Sequence, residues 1–201
     1  MIKRIVMYAL AATWILACSL AYADNTAAIK LVEAARSQVG VTLQYDAAYT
    51  KLDYPNGDVP IEKGVCTDVI IRALRASHGI DLQKLVHQDM AKNFARYPNI
   101  WGLNQPDKNI DHRRVGYLQM YFKRHWQSLP ISQKPADYVT GDVVTVMLPR
   151  NLAHIMLVSN MMARKIPLVI HNIGRGTQEE SGLFEYKITG HYRLPVTTTR
   201  N

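Results

Sequence analysis

At residues 64–75 the chain reads GVCTDVIIRALR. Apolar residues recur at helical spacing after the cysteine, and the pattern predicts a helix over Val65–Ser77 that ends before Gly79. Cys66 stands at the start of that helix, directly after a glycine-bearing loop. Unpaired backbone N–H groups and the positive end of the helix dipole favour a thiolate at such a position, so we expect a lowered thiol pKa.

The rest of the chain divides into helical and strand-like halves. The same periodicity predicts three more helices, over Ala27–Val39, Asp81–Tyr97 and Val115–Gln127. Short apolar runs of β character follow, at Asp142–Leu148, His154–Ser159, Leu168–His171, Leu183–Lys187 and His191–Leu194. Helices followed by strands are typical of the α+β class, and we expect the helices to pack on a small antiparallel sheet or half barrel.

The first 23 residues have the features of an export signal. Lys3 and Arg4 precede an apolar run that is shorter than the roughly 20 residues of a membrane span, and Ala21-Tyr22-Ala23 is typical of a cleavage site. Cleavage there would leave residues 24–201 as a single domain in the periplasm, with no membrane span. A lipoprotein signal ending at Cys18 is the alternative.

Composition limits the classes of partner. The 201 residues include 24 Lys and Arg against 16 Asp and Glu, and 48% are hydrophobic, which excludes disordered, collagen-like and coiled-coil chains. The positive charge is spread out, without a basic run of five residues, so no nucleic acid is expected as a partner. Without a nucleotide-binding glycine motif or a CxxC or HExxH spacing, we expect no cofactor and no metal.

A thiol nucleophile needs a base and a group that orients the base. Among seven histidines, His154 opens one strand-like run and His171 ends the next. If these runs pair as a hairpin, the two rings lie side by side, and Cys66 on a facing helix completes a Cys–His–His site. Asn172 would replace His171 if the register shifts by one, because neighbours on a strand face opposite ways. Buried, inert core residues are the structural alternative.

These residues, in this order, resemble the NlpC-type cell-wall peptidases, which are papain-like cysteine hydrolases of bacterial peptidoglycan. The resemblance is carried by GVCTD (64–68), GDVV (141–144), AHI (153–155) and VIHN (169–172). More closely, nearly all of residues 30–195 resemble a YijF-like family of exported bacterial proteins of unknown function. That resemblance is carried by GVCTDVIIRALR, NIDHRRV, GDVV, HNIG and GHYRL.

The resemblance implies a papain-like fold with Cys66 as nucleophile, His154 as general base and His171 as the residue that orients the base. It implies cleavage of an amide bond in peptidoglycan stem peptides by a chain that we expect to be monomeric. The alternatives are a sugar–peptide amidase or an acyl transferase with the same three residues, and a cell-wall binding module without turnover. Met156 stands where the peptidases have glycine, which favours the binding module.

Further residues are candidates for contacts with substrate. A tyrosine before the nucleophile often lines the site in NlpC-type peptidases, and Tyr54 and Tyr45 both fit. Asp68 and Asn172 are also candidates for contact with substrate, although Asp68 could instead cap the helix that begins near Cys66.

The polar cluster at residues 109–114 has two interpretations. Arg113 is a candidate clamp for a stem-peptide carboxylate, since guanidinium groups bind carboxylates through paired hydrogen bonds. The alternative is a helix start, in which Asp111 caps the helix Val115–Gln127.

Overall fold

The structure is a computed structural model that describes residues 25–195. The expected signal segment and its alternative at Cys18 lie outside the described residues. Four α-helices occur within them: α1 (25–36), α2 (Cys66–His78), α3 (Leu82–Asn93) and α4 (Val115–His125). None of these helices is both long enough and apolar enough to cross a bilayer.

Eight strands form two sheets in the described part of the chain. The short strands β1 (Gln44–Tyr45) and β2 (Lys63–Gly64) pair in parallel just before α2. Six strands form one larger sheet in the spatial order β3-β8-β4-β5-β6-β7, and every neighbouring pair in it is antiparallel. They are β3 (Gln127–Ser128), β4 (Val143–Leu148), β5 (Leu152–Ala163), β6 (Ile166–Asn172), β7 (Thr177–Glu180) and β8 (Lys187–Arg193). The expected α+β class, with helices and an antiparallel sheet, is confirmed.

One of the five predicted strands is wrong. Leu183–Lys187 is mostly a turn, and the chain enters the sheet earlier, as β7, and again as β8. Leu183 is buried in an apolar cluster without belonging to a strand. The apolar character of this segment therefore reflects packing of a turn, whereas the real strand β7 is polar and has no apolar alternation.

The larger sheet separates two apolar clusters. Ile155, Leu157 and Ile170 pack with the helices on one face, whereas Met156 and Val158 belong to a smaller cluster on the other. Helix α2 lies at the centre of the larger cluster, and every residue from Cys66 to Leu74 is buried. A helix buried over most of its surface is held by packing on all sides, and this fixes its amino terminus against the sheet.

Candidate active site

Helix α2 begins at Cys66, and the residues around its start stabilise this position. Val65 has an extended conformation, and the carboxylate of Asp68 accepts the Val65 N–H at 2.7 Å, which satisfies one of the free donors at the helix start. A Cβ atom at Gly64 would lie 3.0 Å from Oδ2 of Asp68 and 3.2 Å from Nη1 of Arg72. Because Gly64 has no side chain, the backbone before α2 can lie close to the helix, and the Cys66 thiol packs against the sheet.

The sulfur of Cys66 is buried in the larger apolar cluster, which also contains Ile155 of β5. The backbone N–H groups of Ile155, Thr67 and Cys66 favour the thiolate form of this sulfur and so act to lower its pKa. Val158 N–H donates to Asp142 on the β4 side, so the N–H of Ile155, three residues earlier, points the opposite way, toward β6. The β5–β6 ladder ends at the pair Leu157 and Ile170, which leaves the Ile155 donor free for the sulfur.

The expected lowering of the thiol pKa is wrong. Burial raises the pKa of Cys66 to about 11, because desolvation of the thiolate outweighs the three N–H groups that stabilise it. Cys66 is a free cysteine and only 3% exposed. At neutral pH it is therefore a neutral thiol, and to react as a thiolate it would first have to lose its proton to a base.

The two histidines lie side by side at the adjacent ends of β5 and β6. Nε2 of His154 is 2.8 Å from Nδ1 of His171, and the ring centroids are 5.0 Å apart in an edge-to-face arrangement. Burial, followed by the neighbouring His171, lowers the pKa of His154 to about 3. Burial also lowers the pKa of His171, although Glu180 opposes the shift. Both rings are therefore neutral at pH 7, as a proton acceptor must be.

The sequence analysis missed a carboxylate beside this pair. Oε1 of Glu180, on β7, lies 3.2 Å from Nε2 of His171, and Oε2 accepts a hydrogen bond from Arg175. A line of hydrogen bonds thus runs from His154 through His171 and Glu180 to Arg175. No apolar pattern marks β7, and the signal that would have found it is its run of acidic side chains next to a turn.

Asn172 does not replace His171 but joins the segments that precede the thiol. Its Nδ2 donates to the carbonyl oxygens of Gln44 at 3.2 Å and of Gly64 at 3.1 Å. Its Oδ1 accepts the N–H of Gly174. The side chain is fully buried, so it connects β1, β2 and the end of β6 around Cys66.

Asp68 and Arg113 bind each other instead of standing open to a ligand. Nε and Nη2 of Arg113 donate to the Asp68 carboxylate at 3.0 and 2.9 Å, and its other contacts are the carbonyl oxygens of Asp46 and Ala48. The Arg113 side chain is 2% exposed. The pair therefore anchors the loop at residues 46–48 to the start of α2.

The structure distinguishes the two candidate tyrosines. Tyr45 lies near Cys66, and burial, followed by the nearby sulfur, raises the pKa of Tyr45 to about 12. Tyr45 as a whole residue is 43% exposed, in contrast to the buried Cys66. Tyr54 contacts His87 and Lys108 instead. Of the two candidates, Tyr45 is therefore the one that lies beside Cys66.

The expected helix cap at Asp111 is also wrong. Arg114 occupies the cap position of α4 without a side-chain cap, and the Asp111 carboxylate accepts the N–H of Asp107 four residues earlier. Burial raises the pKa of Asp111 to about 6. This cluster therefore stabilises its own turn. Within residues 25–195, no three His, Cys, Asp or Glu side chains are grouped to hold a metal ion.

Two cavities lie away from the thiol. An apolar cavity of about 660 Å³ lies among α1, α4 and the end of β8, and includes Leu31, Tyr121 and Trp126 in its wall. A polar cleft of about 840 Å³ is lined by Tyr49, His87 and residues 102–109. Tyr49 follows Tyr45 on the loop that Arg113 anchors, so the polar cleft and the thiol share one segment of chain.

Comparisons with known proteins identify relatives of the whole domain. Residues 32–194 match the model of DUF1287, described as a domain of unknown function. The chain is 57% identical over 169 residues to the uncharacterized protein YijF of Escherichia coli (strain K12), and this alignment covers 84% of the chain and 82% of that protein.

A solved structure shares the fold at low sequence identity. The chain resembles the crystal structure of an N-acetylmuramoyl-L-alanine amidase from Bacteroides uniformis ATCC 8492, with a TM-score of 0.51 and 10% identity. The superposition covers 83% of this chain and 97% of that chain. At this identity the likeness concerns the fold alone.

Proposed function

The chain belongs to the DUF1287 family, and we propose that it is an exported, papain-like cysteine hydrolase that cuts an amide bond in peptidoglycan. One observation carries this proposal. His154 is hydrogen-bonded to a second histidine, His171, at 2.8 Å, and the backbone N–H of Ile155, the residue next to His154, favours the thiolate form of Cys66. The proposal assigns Cys66 on α2 as the nucleophile, His154 on β5 as the base and His171 on β6 as the group that orients the base.

The first half-reaction starts from a neutral thiol and a neutral imidazole. His154 takes the thiol proton of Cys66, and the sulfur forms a bond to the amide carbonyl carbon while the carbonyl electron pair moves onto oxygen. Backbone N–H groups at the start of α2 stabilise that oxyanion. When the C–N bond breaks, His154 returns its proton to the leaving amine, and the acyl group remains on sulfur as a thioester.

The second half-reaction regenerates the thiol. His154 takes a proton from a water molecule, whose oxygen attacks the thioester carbonyl carbon. The C–S bond breaks, the carboxylic acid product leaves, and the sulfur regains a proton from His154. His171 holds the ring of His154 through both half-reactions.

Two bonds in peptidoglycan are candidate substrates. The resemblance to NlpC-type peptidases supports an amide bond within the stem peptide. The name of the solved structure with the same fold, an N-acetylmuramoyl-L-alanine amidase, supports the amide between the sugar and the first alanine. We propose that residues 1–23 are removed during export and that a monomer of the remaining single domain acts in the periplasm.

Digestion of purified cell-wall sacculi tests the proposal. Wild-type protein and a Cys66→Ala variant are incubated with sacculi, and the released fragments are identified by mass spectrometry. Fragments released by wild type alone are expected. Free stem peptides would identify the sugar–peptide bond, whereas shortened peptides on the glycan would identify a bond within the stem.

The result that would overturn hydrolysis is also defined. If neither protein releases fragments, while both bind sacculi equally in a pull-down assay, the fold serves as a cell-wall binding module. Equal release by wild type and by Cys66→Ala would instead remove Cys66 from the mechanism.

A further inference from the structure

We propose that Glu180 is a positioning residue that sets which ring nitrogen of His171, and through it of His154, carries the proton. This inference rests on the proposed function insofar as it concerns catalysis, but the placement of the protons is testable without turnover. Glu180 lies on β7, the strand next to that of His171. Among Cys66, His154 and His171, it forms a hydrogen bond with His171.

The positions of the protons follow from which atoms can donate. An ionised carboxylate only accepts hydrogen bonds, so Nε2 of His171 must carry the proton in its 3.2 Å contact with Glu180. In a neutral imidazole the other nitrogen is then an acceptor. Nδ1 of His171 therefore accepts from His154, whose Nε2 must carry a proton over the 2.8 Å contact.

This order of protons leaves Nδ1 of His154 as a free base. If His171 carried its proton on Nδ1 instead, Nε2 of His154 would have to be the acceptor, and Nδ1 would be protonated and unable to accept the thiol proton. Glu180 thus selects the reactive tautomer of a ring that it does not touch. It also places a negative charge two steps from the imidazolium that forms on His154.

The Glu180 carboxylate is held in place for this contact. Arg175 binds its second oxygen, and the side chain is half-buried. The charged groups that act on His171 are Glu180, Arg175 and Glu185, and of these Glu180 is the hydrogen-bonding partner. The arrangement gives His171 an acceptor on one side and His154 on the other.

The neighbouring residue on β7 provides a matched control. Glu179 faces away from the histidines, and its carboxylate binds Arg36 at 2.7 Å and the hydroxyl of Ser159. It therefore has the same side chain, strand and charge as Glu180, but its contacts join the sheet to α1. A change that acts through general charge or through strand stability should appear in variants of either residue.

The decisive experiment is nitrogen-15 NMR of the imidazole rings in wild type, Glu180→Ala and Glu179→Ala. In wild type at pH 7, the signals of His154 and His171 should both be those of the Nε2–H tautomer. Glu180→Ala should shift His171 and His154 toward mixed tautomers, whereas Glu179→Ala should leave both unchanged. Wild-type His171 protonated at Nδ1 would overturn the proposal even if Glu180→Ala does not fold, as would unchanged tautomers in a folded Glu180→Ala.

Activity separates this inference from the proposed function. On sacculi, Glu180→Ala should lower kcat by about tenfold and change KM by less than about twofold, because it acts on the base and not on substrate binding. An inactive wild type with the expected tautomers would refute hydrolysis and support the placement of protons. An active wild type whose kcat is unaffected by Glu180→Ala would overturn the role of Glu180 and leave hydrolysis intact.

Discussion

Replacing Arg113 by methionine should destabilise the fold strongly, because it removes the cation of a buried ion pair. The side chains of Arg113 and Asp68 are 2% and 4% exposed, and two hydrogen bonds of 3.0 and 2.9 Å join them. Without Arg113, the Asp68 carboxylate keeps the N–H of Val65 as its remaining contact. Removing one partner of such a pair costs about 3–5 kcal/mol, and we expect a loss of that size in the free energy of unfolding.

Urea denaturation of a double-mutant cycle measures this loss. Asp68→Asn alone should also destabilise, since it leaves the guanidinium without a counter-charge. The double variant should be less destabilised than the sum of the single variants by about 2 kcal/mol, because neither charge is then left alone. Lys63→Met removes an ion pair with Asp46 in which both side chains are far more exposed, and its effect should be several-fold smaller.

Two outcomes would refute this reasoning. If Arg113→Met costs less than about 1 kcal/mol, water reaches the Asp68 carboxylate and the pair is not buried in solution. If the double variant is as destabilised as the sum of the two single variants, the charges do not interact, and the role of Arg113 lies in its hydrogen bonds to the carbonyl oxygens of Asp46 and Ala48.

Three further predictions follow from pKa shifts and contacts. Burial lowers the pKa of His112 to about 3, so below about pH 6.5 the unfolded chain binds more protons than the folded chain and the free energy of unfolding falls on acidification. His112→Gln should reduce the slope of the free energy of unfolding against pH by up to about 1.4 kcal/mol per pH unit between pH 6 and 4. Urea unfolding measures this slope, and an unchanged slope would contradict the prediction. Tyr45→Phe should lower kcat/KM on sacculi about fivefold through loss of one hydrogen bond, whereas Tyr54→Phe should not, and equal effects would contradict the assignment. Alkylation of Cys66 by iodoacetamide at pH 7, followed by mass spectrometry, should be at least about tenfold slower than in the urea-unfolded chain, and a faster reaction would show a lowered thiol pKa.

The helices and the histidine pair could be predicted because their signals are local. Cys66–His78 carries an apolar periodicity and a terminal glycine, and the observed bounds lie within a residue of the predicted ones. The pairing of His154 with His171 depended on one assumption, that two consecutive apolar runs form a hairpin, and β5 and β6 do so. The short-range sequence pattern was sufficient to predict the helix, and antiparallel hairpin geometry was sufficient to predict the histidine pair.

The rest of the site depends on contacts that sequence spacing does not encode. Glu179 and Glu180 make β7 polar because their carboxylates bind partners from other elements, so no apolar alternation marks the strand. Tyr45 and Tyr54 are equivalent in sequence, and only the parallel pairing of β1 with β2 brings Tyr45 to the sulfur. The thiol pKa was predicted in the wrong direction because a helix start is visible in sequence, whereas desolvation is not.

The burial of Cys66 also bears on how readily its sulfur is oxidised. Peroxides and disulfides react with thiolates, and the rate depends on the fraction of thiolate and on access to the sulfur. Cys66 is 3% exposed and its pKa is raised to about 11, so both its thiolate fraction and the access to its sulfur are low. If residues 1–23 are removed, Cys66 is the one cysteine that remains, and its burial would keep it reduced in an oxidising compartment without a second cysteine or a reductant to restore it.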